Sequence, residues 1–240
     1  MLYVIPVYNE EAYLPAFFSE FQTVFSDQDR AIFVNDGSTD MSGRLLSNFA
    51  AGSTSIEILE HRTNLGLSSA LKKGLARALN YAESQFPVVT LDADGQHNLK
   101  MLPQYMDRFK KKDLDVLIVS REFQLYPLWQ KTGNRILSLI ATILLGVKIR
   151  DIESGLRIMN RHALELILSN LVGIRYSIAS EIVYICNLHG KKFENIGRNR
   201  INFYRSRPLI SDFCINFGLG IFHLVKARLK HHFTSGGRIK

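Results

Sequence analysis

Short apolar runs alternate along this chain with longer segments of helical period. Leu2–Val7 is apolar throughout, as in a strand covered on both faces of a parallel sheet. After Asn9-Glu10-Glu11 a helix is expected to start near Pro15, since proline suits a first helical turn. Ala31–Val34 reads as a second strand, with a helix after "NDGSTD" running to about Ala50 and a third strand at Ile56–Leu59. Beyond "NLG", Leu67, Leu71, Leu75, Ala78, Leu79 and Ala82 share one face at a 3.6-residue period, which predicts a helix. A strand at Phe86–Leu91, a helix over Asn98–Lys110 and a strand at Leu114–Ser120 follow. This β-α-β-α succession predicts an α/β fold: a mostly parallel sheet with helices on both faces. No internal repeat or low-complexity stretch interrupts it.

In such sheets ligands bind beyond the carboxyl ends of the strands. The polar residues collect there: "PVYNE" after the first strand, "NDGSTD" after the second, "DADGQH" after the fourth and "SRE" after the fifth. One such ending would mean little, because Asx-turns and helix caps use the same residues. Taken alone, Asp36 more often opens a turn, with Ser38 or Asp40 capping the next helix; it can equally accept from nucleobase and ribose donors. Four converging endings favour a binding site. In "FPVVTLDADGQHN", Asp92 and Asp94 stand two residues apart, and in an extended chain both point to one face, with Gln96 next. Two adjacent carboxylates repel, so one protonates unless a cation joins them. Mg2+ or Mn2+, held by one or two carboxylates and completed by diphosphate oxygens, is a common solution. Neither GxxxxGK[ST] nor GxGxxG is present, so phosphates must be held in another way.

Composition adds location. A chain of 240 residues with 46% apolar content can bury one substantial core. Two cysteines, Cys186 and Cys214, form no CxxC pair, which points to a reducing cytosol without disulfide or zinc. The chain opens directly in a strand, leaving no room for a signal peptide. The net charge of +8 is confined to residues 196–240, which hold nine Lys or Arg against one acid; residues 1–195 hold 21 of each sign. That asymmetry suits a tail meeting an anionic lipid surface, and argues against nucleic acid on the main body. Ile136–Val147 and Phe213–Val225 are apolar for 12 and 13 residues. Both fall short of the ~20 needed to span a bilayer and suit helices lying in the interface. The first fits a core helix equally well. The expected organisation is a domain over 1–205 and a basic amphipathic segment over 206–240, on the inner face of the cell membrane.

"VIPVYNEE", "VNDGSTD", "NLGLSSALKKGLARA", "LDADGQH", "SRE" and "DIESGLRIMNR" occur in the order and approximate spacing of glycosyltransferase family 2. Residues 1 to about 205 resemble that family, and within it the polyprenyl-phosphate branch typified by dolichol-phosphate mannose synthase. The resemblance implies a Rossmann-like GT-A fold, a UDP- or GDP-sugar donor, Mg2+ or Mn2+, and inversion at the anomeric carbon. It places Pro6, Tyr8, Glu10 and Ala93 in the nucleotide-sugar pocket, Asp36 on the base, and Asp92 on ribose, diphosphate or metal. Asp94 and Gln96 would complete the metal site, and Arg121 would meet diphosphate or acceptor phosphate. Asp151 would be a general base or an acid that orients the acceptor. Two departures stand out: Asn35 replaces a common Asp, and "NFYRSRPLI" around Arg205 lacks the usual small-residue loop.

Displacement at an anomeric carbon needs stabilisation of the leaving group and a nucleophile on the opposite face. A sugar hydroxyl of a lipid-linked glycan would need Asp151 as base. A polyprenyl phosphate, with a second pKa of about 6, arrives largely ionised and needs cations instead; Arg121, Lys131, Arg135 and Arg205 are the candidates. A sugar-phosphate nucleotidyltransferase would carry a Gly-rich loop and a base after the first strand, where "PVYNEEAY" has acids. A lectin-like or scaffold role fits poorly with Asp92, Asp94 and Asp151 all present.

Overall fold

The computed structural model describes residues 1–81, 86–121, 128–145, 148–152, 154–171 and 178–199. The segment over 206–240, with Phe213–Val225, Cys214 and Arg205, lies outside the described residues, as does Ala82. Seven strands form one sheet: β1 (Leu2–Val7), β2 (Arg30–Asn35), β3 (Ile56–Glu60), β4 (Val88–Thr90), β5 (Val116–Arg121), β6 (Arg157–Met159) and β7 (Phe193–Asn199). Their order across the sheet is β3-β2-β1-β4-β6-β5-β7.

Alternation along the strands builds a core on each side. Tyr3, Ile5 and Val7 pack with α1 (Leu14–Gln22) and α4 (Leu102–Lys111), where Phe17 and Phe21 stack at 5.6 Å and Tyr3 meets Phe21 edge-on at 5.0 Å. Leu2, Val4, Ile32 and Val34 face the other way, onto α3 (Leu67–Leu79), α6 (Arg161–Asn170) and α7 (Ile178–Leu188). A further helix, α2 (Ser42–Ala50), follows the β2 loop. The expected helix from Asn98 begins as a 3-10 turn over Leu99–Met101, because the Asn98 side chain accepts from Lys100 N–H and tightens the entry.

One feature departs from the sequence reading, and a second bears on the two readings of Ile136–Val147. The succession is not parallel throughout: β6 runs antiparallel to both β4 and β5, with Arg157 opposite Thr90 and Ile118. The second concerns α5 (Leu128–Leu145), which covers most of the apolar Ile136–Val147 segment. It buries Asn134, Ser138 and Ala141 while exposing Leu128, Ile136, Leu139 and Ile143. The side-chain polar atoms of Asn134 and Ser138 have no hydrogen-bond partner among the described residues. An ordinary core helix has the opposite polarity. Among the described residues no helix is long and apolar enough to cross a membrane.

Candidate active site

The crevice opens where β1 and β4 part. Leu2 donates its N–H to Pro87 and Val4 accepts from Leu91 N–H, both at 3.2 Å, so even-numbered residues of β1 direct their backbone groups toward β4. Pro6 comes next in that alternation, and it has no N–H to offer. Ladder pairing with β4 has already ended at Val4 opposite Thr90, while β2 continues to Val7 opposite Asn35. A proline that would be costly inside a ladder therefore sits where the neighbour turns away.

The loops after β1 and β2 are zipped together. Asn9, in the left-handed region at φ 53°, donates its N–H to Ser38 Oγ (3.1 Å) and accepts Thr39 N–H on Oδ1 (2.9 Å). Glu10 N–H donates to Ser42 Oγ at 2.8 Å, and Glu11 accepts from Met41 N–H at 2.8 Å. Asp40 takes the N–H groups of Glu11 and Ser42. Partial burial pushes its carboxyl up, but the hydrogen bonds from Ser42 and Glu11 outweigh this and leave it below the usual range. Tyr8 remains exposed at this rim. Asp36 is buried and accepts from His61 Nδ1 (2.6 Å), Leu65 N–H (3.0 Å) and Gly66 N–H (2.8 Å). It thus ties the β2 end to the start of α3, rather than capping its own turn. Gly37, at φ 67°, lies so close to the Thr63–Asn64 backbone that a Cβ would overlap it, which presses the same two loops together.

At the end of β4 the chain leaves the extended conformation, and Gly95 takes a positive φ of 70°. Strand alternation therefore does not relate Asp92 to Asp94. Asp94 is buried with Ala93, Gln96 and His97, and its Oδ1 accepts Gln96 N–H at 3.0 Å. Asp92 keeps 23% of its side-chain surface and lies 3.5 Å from Nε2 of His97.

Residues 151–152 and 154–155 form a strap beside the strand ends. Asp151, with no exposed surface, accepts Arg121 N–H (3.0 Å) and Nε–H (2.9 Å) on Oδ2, and Nη2–H (3.1 Å) on Oδ1. Burial pushes this carboxyl up, but the Arg121 guanidinium beside it, with Arg157 farther off, holds it below the ordinary aspartate range. Ser154 Oγ donates to Val119 O, and Thr90 Oγ1 donates to Gly155 O at 2.7 Å. Gly155 packs directly on Asp92, where a Cβ would overlap the carboxylate. One short segment therefore touches both the β4 carboxylate and the β5 guanidinium. Gly155→Ala is expected to displace Asp92 and weaken manganese-dependent binding of a nucleoside diphosphate by about tenfold or more, a loss of roughly 1.4 kcal/mol. Calorimetry on the folded variant checks this, and unchanged affinity would show that Asp92 has no part in binding.

Gly155 thus meets Asp92, and Asp151, four residues earlier, holds Arg121, while Asp94 and Gln96 are buried in the turn after Asp92. Asp36 takes its hydrogen bonds from His61, Leu65 and Gly66 at the start of α3. Arg135 is exposed and Lys131 half-buried on α5. Sequence reasoning missed Gly155, His97 and Asn195. The first two lie inside quoted motifs, but Asn195 carries no sequence signal at all. Among the described residues no three His, Cys, Asp or Glu side chains gather as a metal site.

Known proteins resemble this arrangement. The chain is 28% identical over 238 residues to the UDP-N-acetylglucosamine–dolichyl-phosphate N-acetylglucosaminyltransferase of Methanococcus voltae, covering 92% of each chain. It is 31% identical over 170 residues to an undecaprenyl-phosphate 4-deoxy-4-formamido-L-arabinose transferase of Aeromonas hydrophila, covering 69% of this chain and 50% of that one. In fold it resembles the glucosyl-3-phosphoglycerate synthase of Mycobacterium tuberculosis, solved with Mn2+, UDP-glucose and phosphoglyceric acid. That likeness has a TM-score of 0.71 at 16% identity and covers 95% of this chain and 79% of the other, which makes the fold GT-A. Residues 3–168, well over half the chain, match the profile of Glycosyl transferase family 2, and the chain belongs to that family.

Proposed function

We propose that this family 2 glycosyltransferase moves a sugar, with inversion, from a UDP- or GDP-sugar to polyprenyl phosphate at a membrane surface. The observation that carries the acceptor choice is the state of Asp151. A general base must reach the hydroxyl proton it removes, and Asp151 is fully buried with three hydrogen bonds from Arg121. An ionised phosphate needs no base. Asp151 then serves to orient Arg121, which meets phosphate oxygens. Asp92 and Asp94 supply hard oxygen donors, which fit Mg2+ or Mn2+ completed by diphosphate oxygens. Such an ion, when bound, neutralises charge on the leaving diphosphate. Pro6, Tyr8 and Glu10 would flank the nucleotide, with Asp36 at the base edge.

The lipid side of the proposal is supported by the exposed row Leu128, Ile136, Leu139 and Ile143 on α5, which suits contact with acyl or prenyl chains. Acceptors named for the relatives are dolichyl and undecaprenyl phosphate. The basic 206–240 segment would add attraction to anionic headgroups. The test supplies Mn2+ and a panel of UDP-, GDP- and dTDP-sugars, with short-chain polyprenyl phosphate or a saccharide as acceptor. Transfer to the lipid phosphate with an inverted anomer is expected. Transfer to the saccharide alone would give the glycan acceptor first place.

A further inference from the structure

We infer that Asn195, on β7 and outside every motif of the strand ends, is a positioning residue for sugar transfer. Its carboxamide fixes the backbone of Asp151 and, through Asp151, the direction of the Arg121 guanidinium. Oδ1 accepts from three donors at once: Arg150 N–H (2.7 Å), Asp151 N–H (3.3 Å) and Ser120 Oγ–H (3.0 Å). Nδ2 donates back to Asp151 O at 3.4 Å. One side chain therefore holds both backbone groups of Asp151 and the residue preceding Arg121.

The location makes this more than loop repair. The β5–β7 ladder is regular from Val116 opposite Phe193 to Val119 opposite Ile196, then shifts register before Arg121 opposite Asn199. The shift falls at Ser120, whose hydroxyl donates to Asn195 Oδ1. Arg121 is the last residue of β5, just past that shift, so its aim is set by how Ser120 and Asp151 are held. Asn195 is itself buried. With three donors on Oδ1 and a carbonyl at Nδ2, only a carboxamide matches all four partners. Aspartate would keep the acceptor role but set a carboxylate against Asp151 O and beside the Asp151–Arg121 pair. Alanine would leave the Arg150 and Asp151 N–H groups unpaired in the interior.

The inference rests on Arg121 serving the phosphates, as proposed above. Asn195→Asp, Asn195→Ala, Arg121→Gln and the Asn195→Asp/Arg121→Gln double variant are compared in manganese-dependent transfer from the screened nucleotide sugar to short-chain polyprenyl phosphate. Folding is followed by thermal melting. Asn195→Asp, which retains the acceptor bonds, is expected to fold and to lose about 10²-fold in kcat, the scale of a 1 Å misplacement. Its donor KM should change less than about threefold, because the base pocket is untouched. In the Arg121→Gln background the same substitution should cost almost nothing further, since its effect passes through Arg121. Near-normal kcat for Asn195→Asp, or an equal loss in both backgrounds, overturns the inference. A fully active Arg121→Gln enzyme would instead remove the phosphate role of Arg121, and the positioning role with it.

Discussion

Asp94→Asn is expected to fold normally and to lose at least about 10³-fold in manganese-dependent turnover. Asparagine keeps an oxygen for the Gln96 N–H that Asp94 now accepts at 3.0 Å, so the turn into Gln96 and His97 survives. What disappears is a negative charge in a buried position, the property that distinguishes a metal-binding carboxylate from a turn-forming one. Stabilisation of a leaving diphosphate by a bound cation is worth several kcal/mol, and single electrostatic contacts in such sites reach 10²–10³ in kcat. The loss should therefore exceed that of any single hydrogen bond. Activity is measured against Mn2+ concentration after chelator treatment. A variant with near-normal turnover at the wild-type Mn2+ requirement would return Asp94 to a structural role.

Arg121→Ala is expected to be the more damaging of the two changes at the buried ion pair, in stability and in turnover alike. It strands a carboxylate that has no exposed surface, and breaking one partner of a buried pair typically costs about 3–5 kcal/mol. Asp151→Asn leaves a guanidinium that is 9% exposed and still offers it one acceptor, so the cost is smaller. The pH dependence gives the sign. In the wild type Asp151 is held below the ordinary range, so the pair's stabilisation is complete above the unfolded value near 3.8 and fades as pH falls through the folded value. Without Arg121, burial dominates and the folded pKa rises above 3.8, so the variant loses stability as pH climbs through that raised value. Urea melts at pH 5 and 7.5 should show Arg121→Ala recovering stability at the lower pH while wild type stays flat. Wild-type-like melts at both values would mean that the pair does not form. For turnover, Arg121→Ala should cost about 10²–10³ and Asp151→Asn less. If Asp151→Asn is the inactive enzyme, Asp151 is a base and the acceptor is a hydroxyl.

The order of strands and helices up to β5 was legible because each strand is a short, mostly apolar run and each helix has a clear period. Leu2–Val7 and Ile56–Leu59 needed no tertiary help. β6 was not legible: Arg157-Ile158-Met159 is three residues long and carries a buried arginine, and its direction depends on a return from α5 that periodicity does not encode. The carboxylates after β4 were legible as residues but not in geometry. Alternation holds only in an extended chain, and the turn over residues 93–95 ends it. Arg121 and Asp151 are 30 residues apart, so their pairing follows only once β5 and the strap share a sheet edge. Asn195 lies 44 residues beyond Asp151 in a strand whose pattern marks nothing but a strand.

Because β6 returns antiparallel beside β5, the connection from Arg121 to Arg157 starts and ends on adjacent strands. Val119 N–H meets Leu156 O at 3.0 Å, and Ile118 stands opposite Arg157. In topology, therefore, α5 belongs to the connection of an enlarged hairpin. Loop-closure cost grows only slowly with length, so such a connection can be lengthened, shortened or exchanged at little expense to the frame. On the acceptor role proposed for α5, acceptor choice would be a modular property of that one insertion.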